Sequence, residues 1–289
     1  MRIASVQKKY AEGVAIGRRL WPVAEGVDPQ AHLDDRMRHA MTSYYTLFAR
    51  AMRHAHVGTA QERIELNRRA LQHGQRRALD SGDIGAILEV SNIESEMAED
   101  YETVDSEEAG RLYSQAVEAR LQRPETIENV LSARIGLYST AERALRFFAR
   151  RGRPAQAVAL AQRTSGVMSP AMFLKLNLPR SKEAQRIQAL WWTASIADDE
   201  KTRSSAWLWK EAIAAAEEGL RQSPSDAVIE ASAALAFDGQ ADWLRTSGQP
   251  GEIWRGKAHE LWTRLSAAFP DNEFIRNRAA GGRNQHGNN

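Results

Sequence analysis

Apolar residues recur along this chain at spacings of three and four positions, which places side chains on one face of an α-helix. The clearest series lie between Ile84 and Met97 and between Leu112 and Leu121. Alanine and leucine, which favour helices, are also much commoner than the strand-favouring valine and isoleucine. The sequence therefore predicts an all-α protein.

Capping residues, glycines and prolines divide these series into separate helices. Asp28-Pro29 predicts the start of a long helix that runs to about His56, with Asp28 as its N-cap. Thr59 and Glu62 have the spacing of a capping box, so the next helix is predicted from about residue 60 to the Ser81-Gly82 stop.

The same signals mark the remaining elements. Starts are predicted at Asp83 and Asp105 and after Pro124, and Gly152 with Pro154 breaks one helix from the next. A short segment is expected between Pro170 and Pro179, and Pro22 lies near the end of the first helix or kinks it. Later helices are predicted over residues 182–198, 203–222, 226–247 and 251–269. About twelve helices with short loops indicate antiparallel hairpins.

The hairpins repeat along the sequence. Ala212 and Ala258 occupy equivalent positions in two second helices and lie 46 residues apart, as do Pro224 and Pro270 in the turns that follow. Helix pairs that open near residues 29, 83, 125, 182 and 225 continue the pattern. Repeats of this length predict stacked antiparallel hairpins in a superhelical α-solenoid array, because no hairpin can bury its apolar face alone.

Three hairpins resemble tetratricopeptide repeats. Gly152, followed five positions later by Ala157, is similar to that family's hairpin corner, and the turns 223–226 and 269–272 are similar to its repeat-ending proline. The family's regular 34-residue period is not kept. We expect one helical-repeat domain over residues 1–279 and a disordered polar tail over 280–289. The phase of the repeat makes residues 2–24 either a second helix without its partner, as in a fragment of a longer protein, or an N-terminal cap.

Composition excludes several kinds of chemistry. The chain has no cysteine, which rules out disulfides, cysteine-ligated metals and a thiol nucleophile. Its 39 Lys and Arg nearly balance 37 Asp and Glu, and a net charge of +2 argues against a nucleic-acid partner. Neither a long uncharged apolar run nor a signal-peptide core is present, so we expect a cytoplasmic protein with no membrane segment.

The sequence contains only incomplete motifs for nucleotide and metal binding. The segment 251–258 has the spacing of a phosphate-binding loop, but alanine stands where a Ser or Thr is needed, and the segment fits a continuous helix. The acidic residues at 34–35 and 198–200 lack an acid four positions later, and 259–263 lacks the second histidine of a zincin motif. We therefore predict no metal and no cofactor.

Three arginines form the main candidate binding feature. Arg143, Arg146 and Arg150 share one face of a predicted helix, with Glu142 adjacent, and are called here the arginine stripe. Guanidinium groups bind carboxylates and phosphates bidentately. If Gly152 is the corner of a tetratricopeptide-like hairpin, the resemblance places the stripe on the concave side, where such repeats receive extended peptides. The alternative is a solvated helix face paired with neighbouring acids.

Acidic residues are concentrated between Glu89 and Glu108. One interpretation is that they pair with the arginines of the next hairpin, which would make both charged runs structural. An external partner for the acidic stretch is the alternative.

Seven of the eight tryptophans lie from residue 191 onward. Adjacent or alternate positions on a helix point in different directions, so these rings cannot all enter one core. We expect Trp262 and either Trp191 or Trp192 in the core, and we assign Trp209 and Trp254 to an interface.

These features favour a non-enzymatic interaction module, an adaptor, scaffold or regulatory domain that docks another protein or peptide on its concave helices. The tetratricopeptide resemblance implies this function, whereas the periodicity indicates only stacked helices. Two other classes stay open: a helical enzyme or phospho-ligand binder whose site is assembled from distant residues, and a nucleic-acid binder that uses an arginine-rich face. Self-association stays open too.

Overall fold

A computed structural model describes residues 2–122, 131–167 and 181–281, and every regular element in these ranges is an α-helix. The prediction of an all-α protein is confirmed. The twelve described helices are α1 (Arg2–Glu25), α2 (Asp35–His54), α3 (Ala60–Ser81), α4 (Ile84–Tyr101), α5 (Ser106–Leu121), α6 (Leu131–Arg150), α7 (Pro154–Val167), α8 (Lys182–Asp199), α9 (Ser205–Gln222), α10 (Ala227–Thr246), α11 (Glu252–Ala268) and α12 (Glu273–Ala279).

Most helix ends lie where the capping signals predict them. The Thr59 hydroxyl accepts a hydrogen bond from the Glu62 amide at 3.1 Å, and the Glu62 carboxylate accepts one from the Thr59 amide at 2.6 Å. Asp83 and Asp105 cap α4 and α5. Gly82 ends α3 with φ 62°, in the left-handed region that glycine enters without a side-chain clash. The predicted helix start after Pro124, the segment 170–179 and most of the tail lie outside the described residues.

The predicted helix start at Asp28-Pro29 is wrong. The chain forms a loop from residue 26 to 34, and α2 begins at Asp35. The carboxylate of Asp28 accepts a hydrogen bond from the amide of Gln30 at 2.8 Å, which makes a local turn rather than a helix cap. The N-cap is Asp34, six residues later, which satisfies an amide in the first turn of α2.

The chain divides into two compact units, residues 1–143 (unit 1) and 144–289 (unit 2), with the boundary inside α6. In unit 1, α1 packs against α2, α2 against α3, α3 against α4, and α4 against α5. Tyr45, Phe48 and Ile93 belong to the core of this unit. Pro22 lies within α1, close to its C-terminal end. These contacts confirm sequential packing of helices, and the single domain over 1–279 stays a prediction.

Unit 2 also packs helices that are neighbours in sequence. Helix α8 contacts α7, α9 and α10, and α11 contacts α10 and α12. Trp209, Phe237 and Trp262 lie at the centre of its core. The contact between α8 and α10 brings the first helices of two successive hairpins together directly. None of the helices in the described part of the chain has the length and apolarity needed to cross a bilayer.

Candidate functional site

Unit 1 contains the first arginine of the stripe, and its partner is Glu99 of α4. The Arg143 guanidinium lies 3.0 Å from Glu99, and Arg53 of α2 reaches the same carboxylate at 2.9 Å. Burial raises the pKa of Glu99, and the charges of Arg143 and Arg53 oppose that rise. One carboxylate on α4 therefore joins α2 on one side to α6 on the other.

The other two arginines of the stripe lie in unit 2 and bind acids at the C-terminal end of α8. Arg146 contacts Glu200 at 2.9 Å and Asp199 at 3.1 Å, and Arg150 lies 3.5 Å from Glu200. Burial alone would raise the pKa of Glu200, but the hydrogen bond from Arg146 and the charge of Arg150 hold this pKa below its ordinary value. Glu142 lies beside the stripe and is half-buried.

All three arginines of the stripe therefore have carboxylate partners within the chain. This arrangement matches the alternative interpretation, a helix face paired with neighbouring acids. An incoming carboxylate or phosphate would compete with Glu99 and Glu200 for these guanidinium groups, so the stripe is not a row of unpaired anion sites.

The acidic stretch pairs mainly with the preceding hairpin. Asp100 is 3% exposed and accepts hydrogen bonds from Arg53 and Arg63, both at 2.7 Å. Glu96 pairs with Arg50. The predicted pairing with the next hairpin is confirmed for one pair, Glu99 with Arg143. These acids hold α4 against helices on both sides, which is a structural role.

The ion pairs in unit 1 place α2, α4 and α6 side by side, with polar side chains meeting across the helices. His39 of α2 lies 3.4 Å from Glu89 of α4, and the pairs of Glu96 and Glu99 follow along the same side of α4. We call this surface the first-helix face and define it by His39, Ser43, Arg50, Glu89, Asn92, Glu96, Glu99 and Arg143. Its charges are matched within the protein.

Trp209 is buried, which corrects its assignment to an interface. Its side chain is 2% exposed and packs against Gly239 of α10, where an added Cβ would come within 2.3 Å of the ring. Trp207, two positions earlier on α9, is 47% exposed. The two rings point in different directions, as alternate helix positions must, but the sequence does not show which of them faces α10.

Trp254 of α11 keeps part of its surface exposed, and its assignment to an interface stays a prediction. The Lys257 ammonium lies 4.5 Å from the centre of its ring, and the Phe237 ring lies 5.5 Å away. The expected core positions of Trp262 and of Trp192 are confirmed, with 1% and 8% exposure.

The burial of the charged residues Arg120 and Glu94 was not predicted from the sequence. Arg120 is 2% exposed, and Glu94 is 8% exposed with a pKa that burial raises to about 7, against the opposing charge of Arg111. A signal for Arg120 was present, because it follows Ala116 and Val117 at helical spacing and so falls on the buried stripe of α5. A charged residue on a predicted core face is unusual, because burial of charge is costly.

Unit 1 also has a cleft of about 340 Å³ beside the loop that follows α1. Its wall includes three acids, Glu25, Asp28 and Glu65, and one arginine, Arg69. The Arg69 side chain lies 3.4 Å from Glu65 and 5.2 Å from the Trp21 ring centre. The three carboxylates would repel a phosphorylated ligand, and the one guanidinium is already paired with Glu65, so such a ligand is disfavoured in this cleft.

The incomplete phosphate-loop motif is part of a helix. Gly251 precedes α11, and Lys257 lies within that helix and contacts Glu217 of α9 at 2.7 Å. A Cβ on Gly251 would come within 2.6 Å of the Ala241 carbonyl, so this glycine allows α10 and α11 to approach closely. Among the described residues, no group of three or more His, Asp or Glu is placed to hold a metal ion.

Helix α1 exposes three apolar residues at helical spacing, Ile16, Leu20 and Val23. An exposed apolar strip of this kind is a candidate contact surface for self-association. Self-association itself stays a prediction.

No known protein family, curated protein or solved structure matches this chain. Its function is therefore inferred from the geometry of the described residues.

Proposed function

We propose that this protein is a non-enzymatic interaction module, an adaptor, scaffold or regulatory domain, that docks an extended segment of another protein on the first-helix face. The supporting observation is the position of Glu99, which contacts both Arg53 of α2 and Arg143 of α6. Contacts of this kind align the first helices of successive hairpins. Continued along the chain, they would give a tetratricopeptide-like solenoid with an extended binding surface.

The paired charges of the face favour docking because they hold long side chains in fixed orientations. Arg53 is anchored by Asp100 and Glu99, and Arg143 by Glu99. A ligand that meets ordered side chains loses less conformational entropy on binding than one that must order them. Since the charges are largely matched, we expect only a weak dependence of binding on salt, in contrast to a nucleic-acid complex.

The test places a photo-crosslinking amino acid at Ser43, which lies between His39 and Arg50 on the first-helix face. The matched control carries it at Gln75, an exposed position on the neighbouring helix α3. In extracts of the source organism we expect a protein to crosslink reproducibly from position 43 and not from position 75. The crosslinked residues of that protein should lie within one extended segment.

Equal crosslinking from the two positions, or none from position 43, would contradict the proposal. Crosslinks to RNA or DNA that disappear steeply with added salt would favour the nucleic-acid alternative instead.

A further inference from the structure

Arg120, at the C-terminal end of α5, lies buried next to α4 and α6. Its Nε donates a hydrogen bond to the Ser91 hydroxyl at 2.7 Å, and its Nη2 donates to the Asn92 side-chain carbonyl at 2.6 Å. Nη2 also lies 3.5 Å from the Leu88 carbonyl. All three acceptors are neutral, so they orient the guanidinium but do not balance its charge.

Arg120 has no carboxylate partner in the described part of the chain, unlike the other arginines held inside unit 1. Arg53 and Arg63 each lie 2.7 Å from Asp100, and Arg38 lies 3.5 Å from Asp80. Burial and, to a lesser extent, the positive charge of Arg143 lower the pKa of Arg120 to about 10. A buried charge without a counter-charge is costly, and a bound anion would offset that cost.

The space for this guanidinium is made by a glycine in the middle of α6. A Cβ on Gly136 would come within 2.4 Å of Nη1 of Arg120, so any other residue would push the guanidinium aside. Glycine inside a helix costs about 1 kcal/mol relative to alanine. The close approach of the Arg120 side chain explains why glycine stands at position 136 despite this cost.

The Arg120 guanidinium lies beneath the first-helix face and is hydrogen-bonded to Asn92, a residue of that face. Asn92, which accepts from Nη2, is an exposed residue, and Gly136 is half-exposed. The exposed Asn92 side chain therefore connects Arg120 to the surface, and this is the point at which an anion would approach it. The nearby Arg143 is already paired with Glu99, so among the described residues around this point the positive charge of Arg120 is left to be matched.

We propose that Arg120, oriented by Ser91 and Asn92 and seated on Gly136, is an anion subsite of the first-helix face that takes a single carboxylate from an acidic peptide segment. This inference rests on the proposed function and names the chemistry of its ligand. One uncompensated charge is matched by a carboxylate, whereas a dianionic phosphate would leave a negative charge beside Glu96 and Glu99.

The probe is the peptide hexaglutamate, with hexaglutamine as the uncharged control, titrated into the full chain at neutral pH. Arg120→Gln removes the charge of the subsite, and Arg19→Gln removes an exposed charge of α1 as the matched control. Gly136→Ala fills the seat of the guanidinium, and Gly256→Ala, where a Cβ meets nothing within 4 Å, is its control.

We expect Arg120→Gln and Gly136→Ala to weaken hexaglutamate binding at least tenfold, and both controls to change it less than twofold. In the unmodified protein, hexaglutamate and not hexaglutamine should shift the NMR signal of the Arg120 Nε–H group, which the Ser91 hydrogen bond orders. This second measurement decides the question if Arg120→Gln does not fold.

Equal binding by the Arg120→Gln and Arg19→Gln variants overturns the subsite, as does an Arg120 signal that does not move when hexaglutamate is in excess. These failures are distinguishable from failure of the proposed function. If a protein crosslinks from position 43 but the Arg120 signal does not shift with hexaglutamate, the docking face is supported. Only the carboxylate subsite is then contradicted.

Discussion

At the scale of single residues, Trp207 and Trp209 of α9 show how strongly the environment of a side chain depends on the helix face it occupies. Trp209 fills space against Gly239, while nearly half of the Trp207 surface is exposed. A large ring enclosed by neighbours contributes both its transfer from water and its packing contacts, and a half-exposed ring contributes only part of each.

We therefore expect Trp209→Ala to lower the free energy of unfolding by about 3–5 kcal/mol, and Trp207→Ala to lower it by about 1 kcal/mol. Urea denaturation followed by circular dichroism measures both values. Equal losses for the two variants would show that the Trp209 ring is not enclosed as described.

At the scale of elements, helix ends were predictable wherever a single local signal was present. The Thr59 and Glu62 capping box needs only the four residues that form it, so its geometry follows from sequence. Asp28 and Asp34 were not separable in this way, because both carboxylates can satisfy backbone amides. The choice between a turn at Asp28 and a cap at Asp34 depends on how the loop packs, which no short window contains.

The glycine at the corner between α6 and α7 gives a prediction at this scale. Gly152 has φ 66°, and a Cβ there would meet nothing within 4 Å, so Gly152→Ala should destabilise through the backbone alone. We expect a loss of about 1–2 kcal/mol. Gly256→Ala, inside α11 with equally open space, should instead gain about 0.5–1 kcal/mol.

Thermal melting of the two variants beside the parent chain checks these opposite signs. A stabilising Gly152→Ala substitution would mean that the corner does not hold its left-handed conformation in solution.

At the scale of the whole molecule, the near balance of charges reflects pairing inside each unit. Partners that are far apart in sequence form these pairs, such as Arg53 with Asp100 and Arg146 with Glu200. The helical class and the sequential packing followed from local periodicity. The ion pairs did not, because many acids lie at compatible distances along the chain and only the folded packing selects among them. The burial of Arg120, in contrast, had a local signal, because Arg120 follows Ala116 and Val117 on the buried stripe of α5.

Two glutamates, one in each unit, should make stability depend on pH in opposite directions. The pKa of Glu94 is raised from 4.5 to about 7, so its contribution to stability is present below pH 4.5 and lost as the pH rises through about 7. The pKa of Glu200 is lowered, so its contribution is present above pH 4.5 and lost as the pH falls through the lowered value.

Glu94→Gln should therefore raise the free energy of unfolding at pH 8 by on the order of 1–3 kcal/mol and have little effect at pH 4.5. Glu200→Gln should lower it at pH 7 by a few tenths to about 1 kcal/mol, with the difference closing in acid. Urea titrations across this pH range measure both, and each variant controls for the other. Parallel pH profiles would contradict the burial of Glu94 or the pairing of Glu200.

The shared carboxylate of Glu99 also limits how the length of the chain can vary over generations. One residue inserted into α4 or deleted from it before Glu99 would turn the rest of the helix by about 100°. That turn would take the carboxylate away from Arg53 and Arg143 together. Descendants of this sequence should accept insertions and deletions in the loop 26–34 and lose those that fall in the first four turns of α4.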